Sequence, residues 1–219
     1  MRAATILFAA IGMFAMPAIA QPALGARLDP TPGSVRPQSG EDQVTAGRVM
    51  RTFAACLTRN HVRIANDILL QPLGSEAQQE VVNRRVAGAS DCTGTSGPQM
   101  RFNALTLAGA LAEAALPRFG AGDLGRVSAL TADQATILNL DPRTGYEDLG
   151  LCVARRAPEV VMAWALSDPG SDAEAAARRA VIPQVGPCVN QGQPLRADIV
   201  GLRAILSAGL YRALHITRP

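Results

Sequence analysis

The chain has 219 residues, of which 48% are hydrophobic, and carries a formal net charge of +3 from 21 basic and 18 acidic residues. All of the basic residues are arginine, and they are spread along the chain. A charge this small and this dispersed does not mark a protein that binds nucleic acid or an anionic membrane, and we expect no nucleic-acid partner. Frequent alanine, leucine and arginine, with few aromatic residues, favour helices.

The first 20 residues have the pattern of a secretory signal peptide. Arg2 precedes an apolar run of about a dozen residues, which ends with Pro17 and a small-residue Ala-Ile-Ala sequence at 18–20. A retained anchor is the alternative, but a spanning helix needs about 20 apolar residues and Pro17 interrupts this run. We therefore predict that residues 1–20 are cleaved, that the protein is periplasmic or secreted, and that no transmembrane segment remains after cleavage.

The segment that follows, residues 21–40, is predicted to be a disordered spacer. It contains four prolines among glycine, serine and charged residues. A segment of this composition can bury little apolar surface. The free energy gained by burial is then too small to offset the conformational entropy lost on folding.

The first helical unit is predicted over residues 41–116. Apolar side chains between Val49 and Leu69 recur at spacings near three and four residues, as one face of a helix requires. A break in this helical segment is expected near His61, where a capping or surface role suits the histidine better than catalysis.

Two more helices are predicted in the first unit. A Gly-Ser turn leads into Ser75, which with Gln78 fits the capping-box pattern, so a helix begins there and runs towards Cys92. Asn103 is a good N-cap residue for a third, strongly apolar helix over 104–116. We expect this third helix to be a central buried element.

Residues 117–145 are predicted to be a linker. Thr131 with Gln134 fits a capping box, which allows a short helix after Thr131, and a Pro-Arg-Thr-Gly turn occupies 142–145. The glycine-rich run at 120–125 resembles a phosphate-binding loop only in spacing. No strand precedes it, so the phosphate-loop interpretation fails.

The second unit, residues 146–219, repeats the plan of the first. The cysteine separations, 92 − 56 and 188 − 152, are both 36, and a shift of 96 (152 − 56) aligns the two pairs. The same shift pairs other residues: Arg59 with Arg155, Leu70 with Leu166, Gly74 with Gly170, Ser75 with Ser171, Ala77 with Ala173 and Pro98 with Pro194. After a one-residue slip, Arg101 meets Arg196, Leu107 meets Leu202 and Leu111 meets Leu206. We infer a tandem duplication.

The helices of the second unit carry their own signals. Pro158 cannot lie inside a regular helix, so a break is expected near Ala157, with Pro158 opening the next helix. Ser171 with Glu174 fits the capping box, and Asp198 is the cap candidate for a third helix over 199–214. The predicted fold is all-α: two tandem copies of a disulfide-stapled three- to four-helix unit, packed side by side or about a pseudo-twofold axis.

Four cysteines allow three disulfide pairings, and all three are compatible with twofold symmetry. An antiparallel helical hairpin brings Cys56 to Cys92 and Cys152 to Cys188, so we predict these two bonds. Metal-binding and redox-active cysteines usually occur as close C-x-x-C pairs, which are missing from this sequence. The oxidising location also favours structural disulfides.

No catalytic, cofactor-binding or metal-binding residue is predicted. His61 and His215 are far from any recognised nucleophile or metal motif, and His215 near a helix end is favoured by the helix dipole. Glu113 is the one acid in an apolar helix and could serve as a general acid. The alternative interpretation, which we prefer, is that Glu113 faces solvent or pairs with an arginine such as Arg118.

The repeated unit resembles a group of uncharacterised exported bacterial proteins built of tandem disulfide-stapled helical units. The residues that carry the resemblance in this chain are Cys56, Gly74, Ser75, Cys92, Arg101 and Leu111, with Cys152, Gly170, Ser171, Cys188, Arg196 and Leu206. The match covers most of residues 46–214. It implies the fold and the export, but no activity.

The function expected from these features is that of a non-catalytic envelope protein that binds a protein partner or a small apolar ligand. A second hypothesis is association with lipid or a membrane surface through the apolar third helices, which is an analogy of architecture. A third is an unrecognised periplasmic hydrolase that uses Glu113.

Overall fold

A computed structural model describes residues 40–93, 103–189 and 197–218, and this part of the chain is all-α, as predicted. Its helices are α1 (Gly40–Asn60), α2 (Val62–Leu69), α3 (Glu76–Arg85), α4 (Ser90–Thr93), α5 (Ala104–Ala115), α6 (Ala121–Ser128), α7 (Ala132–Ile137), α8 (Gly145–Arg156), α9 (Pro158–Leu166), α10 (Asp172–Val185) and α11 (Ile199–Ile216). Short 3₁₀ turns follow α3, α5 and α10. Both predicted helical units lie in one continuous body.

The predicted helix starts are confirmed. The Ser75 hydroxyl accepts a hydrogen bond from the Gln78 N–H at 3.1 Å, and the Ser171 hydroxyl accepts one from the Glu174 N–H at 3.1 Å. Further caps are supplied by Asn103, Thr131 and Asp198. These side chains satisfy backbone donors that the first turn of a helix leaves without a partner.

The predicted helix breaks are confirmed as well. His61 separates α1 from α2 with φ −130° and ψ 50°, and Ala157 separates α8 from α9 with φ −148° and ψ 59°. Pro158 is the first residue of α9, where its missing N–H costs nothing. The two breaks lie at matching positions under the shift of 96 residues. A proline explains only the second break, because no proline directly follows His61.

The turns before α3 and α10 both need glycine. Gly74 has φ +72° and Gly170 has φ +78°, in the left-handed region that side chains disfavour. A Cβ on Gly74 would lie 2.5 Å from the Tyr146 ring, and one on Gly170 would lie 2.9 Å from a methyl group of Val44. Each turn is therefore packed against a residue of the other predicted unit.

The predicted disulfide pairing is confirmed. Cys56 bonds to Cys92 with a Cα–Cα distance of 5.6 Å, and Cys152 bonds to Cys188 with a Cα–Cα distance of 5.7 Å. Each bond closes a helical hairpin, from α1 to α4 and from α8 to the turn after α10. Two such bonds are compatible with an oxidising, extracytoplasmic location.

The third helices of the predicted units, α5 and α11, form the centre of the core. Leu107 and Leu111 of α5 and Leu206 and Leu210 of α11 are fully buried. α5 packs on α1 and on α11, and α11 packs on α8 and α9. The prediction that the third helices are buried is therefore confirmed, with α5 ending one residue earlier and α11 two residues later than predicted.

Two glycine contacts let the core helices approach closely. A Cβ on Gly109 of α5 would lie 2.3 Å from the Cα of Ala204 in α11. A Cβ on Gly209 of α11 would lie 2.4 Å from the carbonyl carbon of Gly150 in α8. The backbones of α5, α11 and α8 therefore touch without side chains between them, which fixes where these helices cross.

Helix α11 is long and apolar enough to cross a membrane by length and composition, but 72% of it is buried inside the protein. A core helix of a water-soluble domain passes the same test. The burial of α11 in the described structure is accounted for by packing on α5, α8 and α9.

The linker is more structured than predicted. It forms two helices, α6 and α7, rather than the single short helix after Thr131. The predicted signal peptide and all but the last residue of the spacer lie outside the described residues, as do Pro98, Arg101, Pro194 and Arg196, so these predictions stay predictions.

Candidate functional site

A buried carboxylate lies between the two central helices. Glu113 of α5 is 8% exposed and accepts hydrogen bonds from two guanidinium groups. Arg203 of α11 donates from Nε to Oε1 at 2.7 Å and from Nη2 to Oε2 at 3.2 Å. Arg51 of α1 donates from Nε to Oε2 at 3.0 Å. We call Glu113, Arg51, Arg203 and Glu174 the Glu113 cluster.

The arginines of the Glu113 cluster also hold the end of α9 and the turn that follows it. Arg203 donates to the carbonyls of Ala165 at 3.0 Å and Ser167 at 2.8 Å, and to Glu174 Oε1 at 2.6 Å. Arg51 donates to the same Ala165 carbonyl at 2.9 Å. The cluster thus joins α1, α5, α9, α10 and α11 through charged and carbonyl acceptors.

The surroundings of Glu113 are those of a structural ion pair. Its Oε1 and Oε2 atoms accept from Arg51 and Arg203, and the Ser207 hydroxyl lies 3.4 Å from Oε1. The preferred interpretation was that Glu113 faces solvent or pairs with an arginine, and the second form is confirmed, because the carboxylate pairs with Arg51 and Arg203. The arginine named as an example, Arg118, is wrong, because it donates instead to the Tyr211 hydroxyl at 3.2 Å. A general acid must reach a substrate, whereas this carboxylate faces protein donors.

A second buried carboxylate, Glu147 of α8, was not singled out from the sequence. It is 4% exposed and accepts from Arg212 Nη1 at 2.6 Å and from the Leu73 N–H at 3.1 Å. Arg143 donates to it from the backbone N–H at 2.7 Å, from Nη2 at 2.7 Å and from Nε at 3.2 Å. We call Glu147, Arg143 and Arg212 the Glu147 cluster.

The Glu147 carboxyl has a pKa below its usual value. Burial opposes its ionisation, but the hydrogen bonds from the Arg143 side chain and N–H, the charge of Arg212 and the Leu73 N–H together outweigh burial. The carboxylate is therefore the stable form in the folded chain, and it acts as the acceptor that organises this cluster.

The Glu147 cluster fastens two surface segments. Arg143 donates to the carbonyls of Leu70 at 2.9 Å and Gln71 at 3.2 Å, which lie at the end of α2. Arg212 donates to the carbonyls of Asn139 and Asp141, both at 3.2 Å, in the loop after α7. The ends of α2 and α7 are therefore held by the same carboxylate through its two arginines.

We expect Glu147→Gln to lower the free energy of unfolding at neutral pH by about 2 kcal/mol, because the two arginines lose the charge they share. The folded-state pKa lies below the usual 4.5. The stabilisation is therefore fully present above pH 4.5 and is lost as the pH falls through the folded-state pKa. Urea unfolding of both proteins from pH 7 to pH 3 should show the difference between them shrinking at the acid end. A difference that stays constant would contradict the role given to this carboxylate.

A small cavity lies beside the Glu147 cluster. Its volume is about 20 Å³, and it is lined by Leu69, Gln71, Leu73, Gln78, Ala108, Glu147, Leu151, Ala208, Gly209 and Arg212. A space of this size holds about one water molecule, whereas pockets for small organic ligands measure roughly 300–1,000 Å³. The cavity is therefore too small for an organic ligand.

The two segments fastened by the Glu147 cluster carry exposed apolar side chains. Ile137, at the end of α7, is 78% exposed, and Leu70, just after α2, is 61% exposed. Among the described residues these are the most exposed large apolar side chains. We refer to these two side chains together as the Leu70–Ile137 surface; each is borne by a segment that an arginine of the Glu147 cluster holds by hydrogen bonds.

The two histidines have different surroundings. A capping or surface role was expected for His61. Its side chain does not cap α2, so the capping form is wrong, but it is partly exposed and contacts the exposed Asp91, as a surface role requires. Its Nε2 lies 2.7 Å from Asp91 Oδ1, and the hydrogen bond from His61 is the main reason why the pKa of Asp91 lies below its usual value. His215 lies in the last turn of α11, as expected, and stacks on Tyr211.

The Glu113 cluster and the Arg212–Glu147 pair were missed because their partners are distant in the sequence. Arg143 lies only four residues before Glu147, so this pair had a local signal in the sequence. One signal could have found the Glu113 cluster: Glu113 is the single charged residue of α5 and Arg203 is one of two arginines on α11, and both helices were predicted to be central and apolar. Comparisons of the chain with protein-family models, with curated proteins and with solved structures found no match. The interpretation of the site therefore depends on its geometry.

Proposed function

We propose that this chain is an exported, non-catalytic protein of the cell envelope that acts by binding a protein partner. The observation that carries the proposal is the Leu70–Ile137 surface. Its two side chains are the most exposed large apolar side chains of the described residues, yet the segments that bear them are held by two arginines on one buried carboxylate. Exposed apolar groups held in place by the fold suit the centre of a protein interface.

A protein partner suits the geometry better than a small apolar ligand. The cavity beside the Glu147 cluster has a volume of about 20 Å³, which is too small for such a ligand. Leu70 and Ile137 instead project from the surface. The partner is expected to present an apolar segment that removes both side chains from water.

Export is supported by two independent features. The first 20 residues have the charge, apolar run and small-residue ending of a signal peptide. Both pairs of cysteines form disulfides, which persist in oxidising compartments. We propose a periplasmic or secreted location on these grounds.

We also propose that residues 41–116 and 146–219 are tandem copies of one unit, related by a pseudo-twofold axis. The proposal is supported by matching caps, breaks and left-handed glycines. Gly109 and Ala204, which the slipped alignment makes equivalent, face each other where α5 crosses α11. A residue that faces its own equivalent is expected at an axis between two copies.

The two clusters fit the same axis. Arg51 and Glu147 occupy matching positions 96 residues apart (147 − 51). Arg51 donates to Ala165 near the end of α9, and Glu147 accepts from Leu73 in the turn after α2, so each reaches across to the other copy. This reciprocal arrangement supports placing the chain with the tandem-unit exported bacterial proteins that it resembles.

The other two hypotheses receive less support. The apolar faces of α5 and α11 pack against each other and against α1, α8 and α9, so lipid would have to displace the core to reach them. Glu113, the candidate acid of the hydrolase hypothesis, is engaged by Arg51 and Arg203.

We expect Leu70→Glu and Ile137→Glu each to weaken partner binding by roughly 30-fold, the effect of losing a central interface residue. The matched control is Ile182→Glu on α10, since Ile182 is also half-exposed but lies on a helix outside the Glu147 cluster. The measurement is affinity isolation of each full-length variant from envelope extracts of the producing cells, with quantification of the proteins retained. Thermal unfolding establishes that the variants are folded.

The proposal is contradicted if both glutamate variants retain the same envelope proteins as the wild type. It fails equally if Ile182→Glu loses the same proteins as Leu70→Glu, because the effect would then be a general consequence of added charge.

A further inference from the structure

One of the two disulfides lies among other side chains that bind metals. The Sγ atoms of Cys56 and Cys92 and a carboxylate oxygen of Asp91 all lie within 4.8 Å of one another. The Nε2 atom of His61 is 2.7 Å from Asp91 Oδ1. Two sulfur atoms, a carboxylate and an imidazole thus meet where the break between α1 and α2 faces α4.

The second disulfide lacks these neighbours. Under the shift of 96 residues, His61 corresponds to Ala157 and Asp91 corresponds to Pro187. The hairpin closed by Cys152 and Cys188 nevertheless has the same sequence separation and a nearly equal Cα–Cα distance. The histidine and the aspartate are therefore not needed to build or close this type of hairpin.

We propose that reduction of the Cys56–Cys92 disulfide creates a zinc site whose four ligands are Cys56, Cys92, Asp91 and His61. Zinc prefers tetrahedral sets of thiolate, imidazole and carboxylate ligands, at about 2.3 Å from sulfur and 2.0–2.2 Å from nitrogen or oxygen. The ligand atoms of Cys56, Cys92 and Asp91 already lie within 4.8 Å of one another, and His61 Nε2 lies 2.7 Å from the Asp91 carboxylate, so side-chain rotations can bring all four to these distances. The site has no C-x-x-C motif in the sequence. Its ligands come from two segments that are distant along the chain, and the helical hairpin brings these segments together.

The site is accessible to a reductant and to the metal. The side chains of His61 and Asp91 are 24% and 55% exposed. Cys56 and Cys92 are both partly exposed, whereas in the second disulfide Cys152 is partly exposed and Cys188 is buried. The first disulfide is thus the one that an external thiol reaches more readily.

The reaction is a thiol–disulfide exchange followed by metal binding. A dithiol reductant attacks one sulfur, the Cys56–Cys92 bond breaks, and the reductant leaves as its own disulfide after transferring two electrons and two protons. Zinc then binds the two sulfurs as thiolates and releases both protons. A disulfide oxidant reverses the sequence, re-forms the Cys56–Cys92 bond and frees the zinc. Disulfide formation and zinc binding therefore exclude each other.

The experiment is a titration of the full-length protein with Zn²⁺ alone, before and after anaerobic reduction, in competition with a chromogenic chelator. We expect one zinc per reduced chain and none per oxidised chain, by native mass spectrometry as well. Cobalt(II) replacing zinc should give the thiolate charge-transfer and tetrahedral d–d absorption bands of a two-sulfur site.

Two sets of variants distinguish this site from binding by any reduced thiol pair. His61→Ala and Asp91→Asn keep both disulfides, so they fold under oxidising conditions, and each should weaken zinc binding at least 10-fold after reduction. Cys152→Ser/Cys188→Ser should keep the site, and Cys56→Ser/Cys92→Ser should lose it. Circular dichroism after reduction establishes that the helices persist.

The proposal is overturned if the reduced wild type binds no zinc. It is also overturned if His61→Ala and Asp91→Asn both bind zinc as tightly as the reduced wild type, because the metal would then be held by thiols without the proposed site. Loss of helix on reduction that zinc does not restore has the same consequence, since the four ligands would not be held together.

Discussion

Replacing Arg203 with methionine is expected to lower the free energy of unfolding by about 3–5 kcal/mol, the cost of leaving a buried ionic partner uncompensated. The side chain of Arg203 is 9% exposed and that of Glu113 is 8% exposed. The substitution removes five hydrogen bonds that Arg203 donates. Glu113 loses two of them, Glu174 loses one, and the backbone carbonyls of Ala165 and Ser167 lose one each. Methionine fills part of the volume but supplies no donor. Urea unfolding at neutral pH measures the loss.

The matched control is Arg84→Met. Arg84 pairs with Glu80 one helical turn away, and both side chains are 66% exposed, so water and salt screen the interaction and stability should change little. Glu113→Met/Arg203→Met should destabilise less than the sum of its single changes, because it removes together the two buried charges that face each other between α5 and α11. An effect of Arg203→Met as small as that of Arg84→Met would show that the Glu113 cluster does not join the helices.

Replacing Gly209 with alanine is expected to cost about 3 kcal/mol. The added Cβ would lie 2.4 Å from the carbonyl carbon and 2.6 Å from the Cα of Gly150. Both contacts are with backbone, which no change of side-chain rotamer can relieve, so α8 and α11 must move apart and disturb the surrounding core. Thermal and urea unfolding should both register the loss.

The control for this substitution is Gly125→Ala. Gly125 lies inside α6, and a Cβ there has no atom within 4 Å. Alanine should therefore stabilise the protein by about 0.4–1 kcal/mol, since it reduces the freedom of the unfolded chain and favours the helix. Equal effects of the two glycine substitutions would contradict the close approach of α8 and α11.

The local features of this fold could be predicted because local chemistry determines them. Ser75 and Ser171 are capping residues followed three positions later by glutamine or glutamate, so the start of each helix was evident. Pro158 determines the break between α8 and α9 by its missing N–H. The disulfide pairing followed from the hairpins that these signals define.

The charged clusters depend on tertiary packing and could not be predicted in the same way. Glu113 pairs with Arg203, 90 positions away, although Arg118 is only five positions away. Which of two arginines reaches a carboxylate depends on how α5 crosses α11, and that crossing depends on Gly109 and Ala204. Helical periodicity places a charge on a face, but it does not identify the helix that this face meets.

The role of His61 shows the same limit. The sequence located the helix break at His61 correctly, and a cap was the local interpretation available. Its partner, Asp91, is 30 positions away and is brought near only when the Cys56–Cys92 hairpin closes. The corresponding residues of the second unit, Ala157 and Pro187, cannot form this contact. The first disulfide therefore has a histidine and an aspartate beside it, and the second does not.

Site-specific photo-crosslinking in the producing cells tests the proposed function most directly. A photoreactive phenylalanine analogue would replace Leu70, Ile137 or Ile182 in the full-length protein, and the adducts formed under illumination would be compared. The proposal predicts one and the same protein adduct from positions 70 and 137, and none of it from position 182. No adduct at positions 70 and 137, or the same adduct at all three, would contradict the proposal that this surface binds a protein partner.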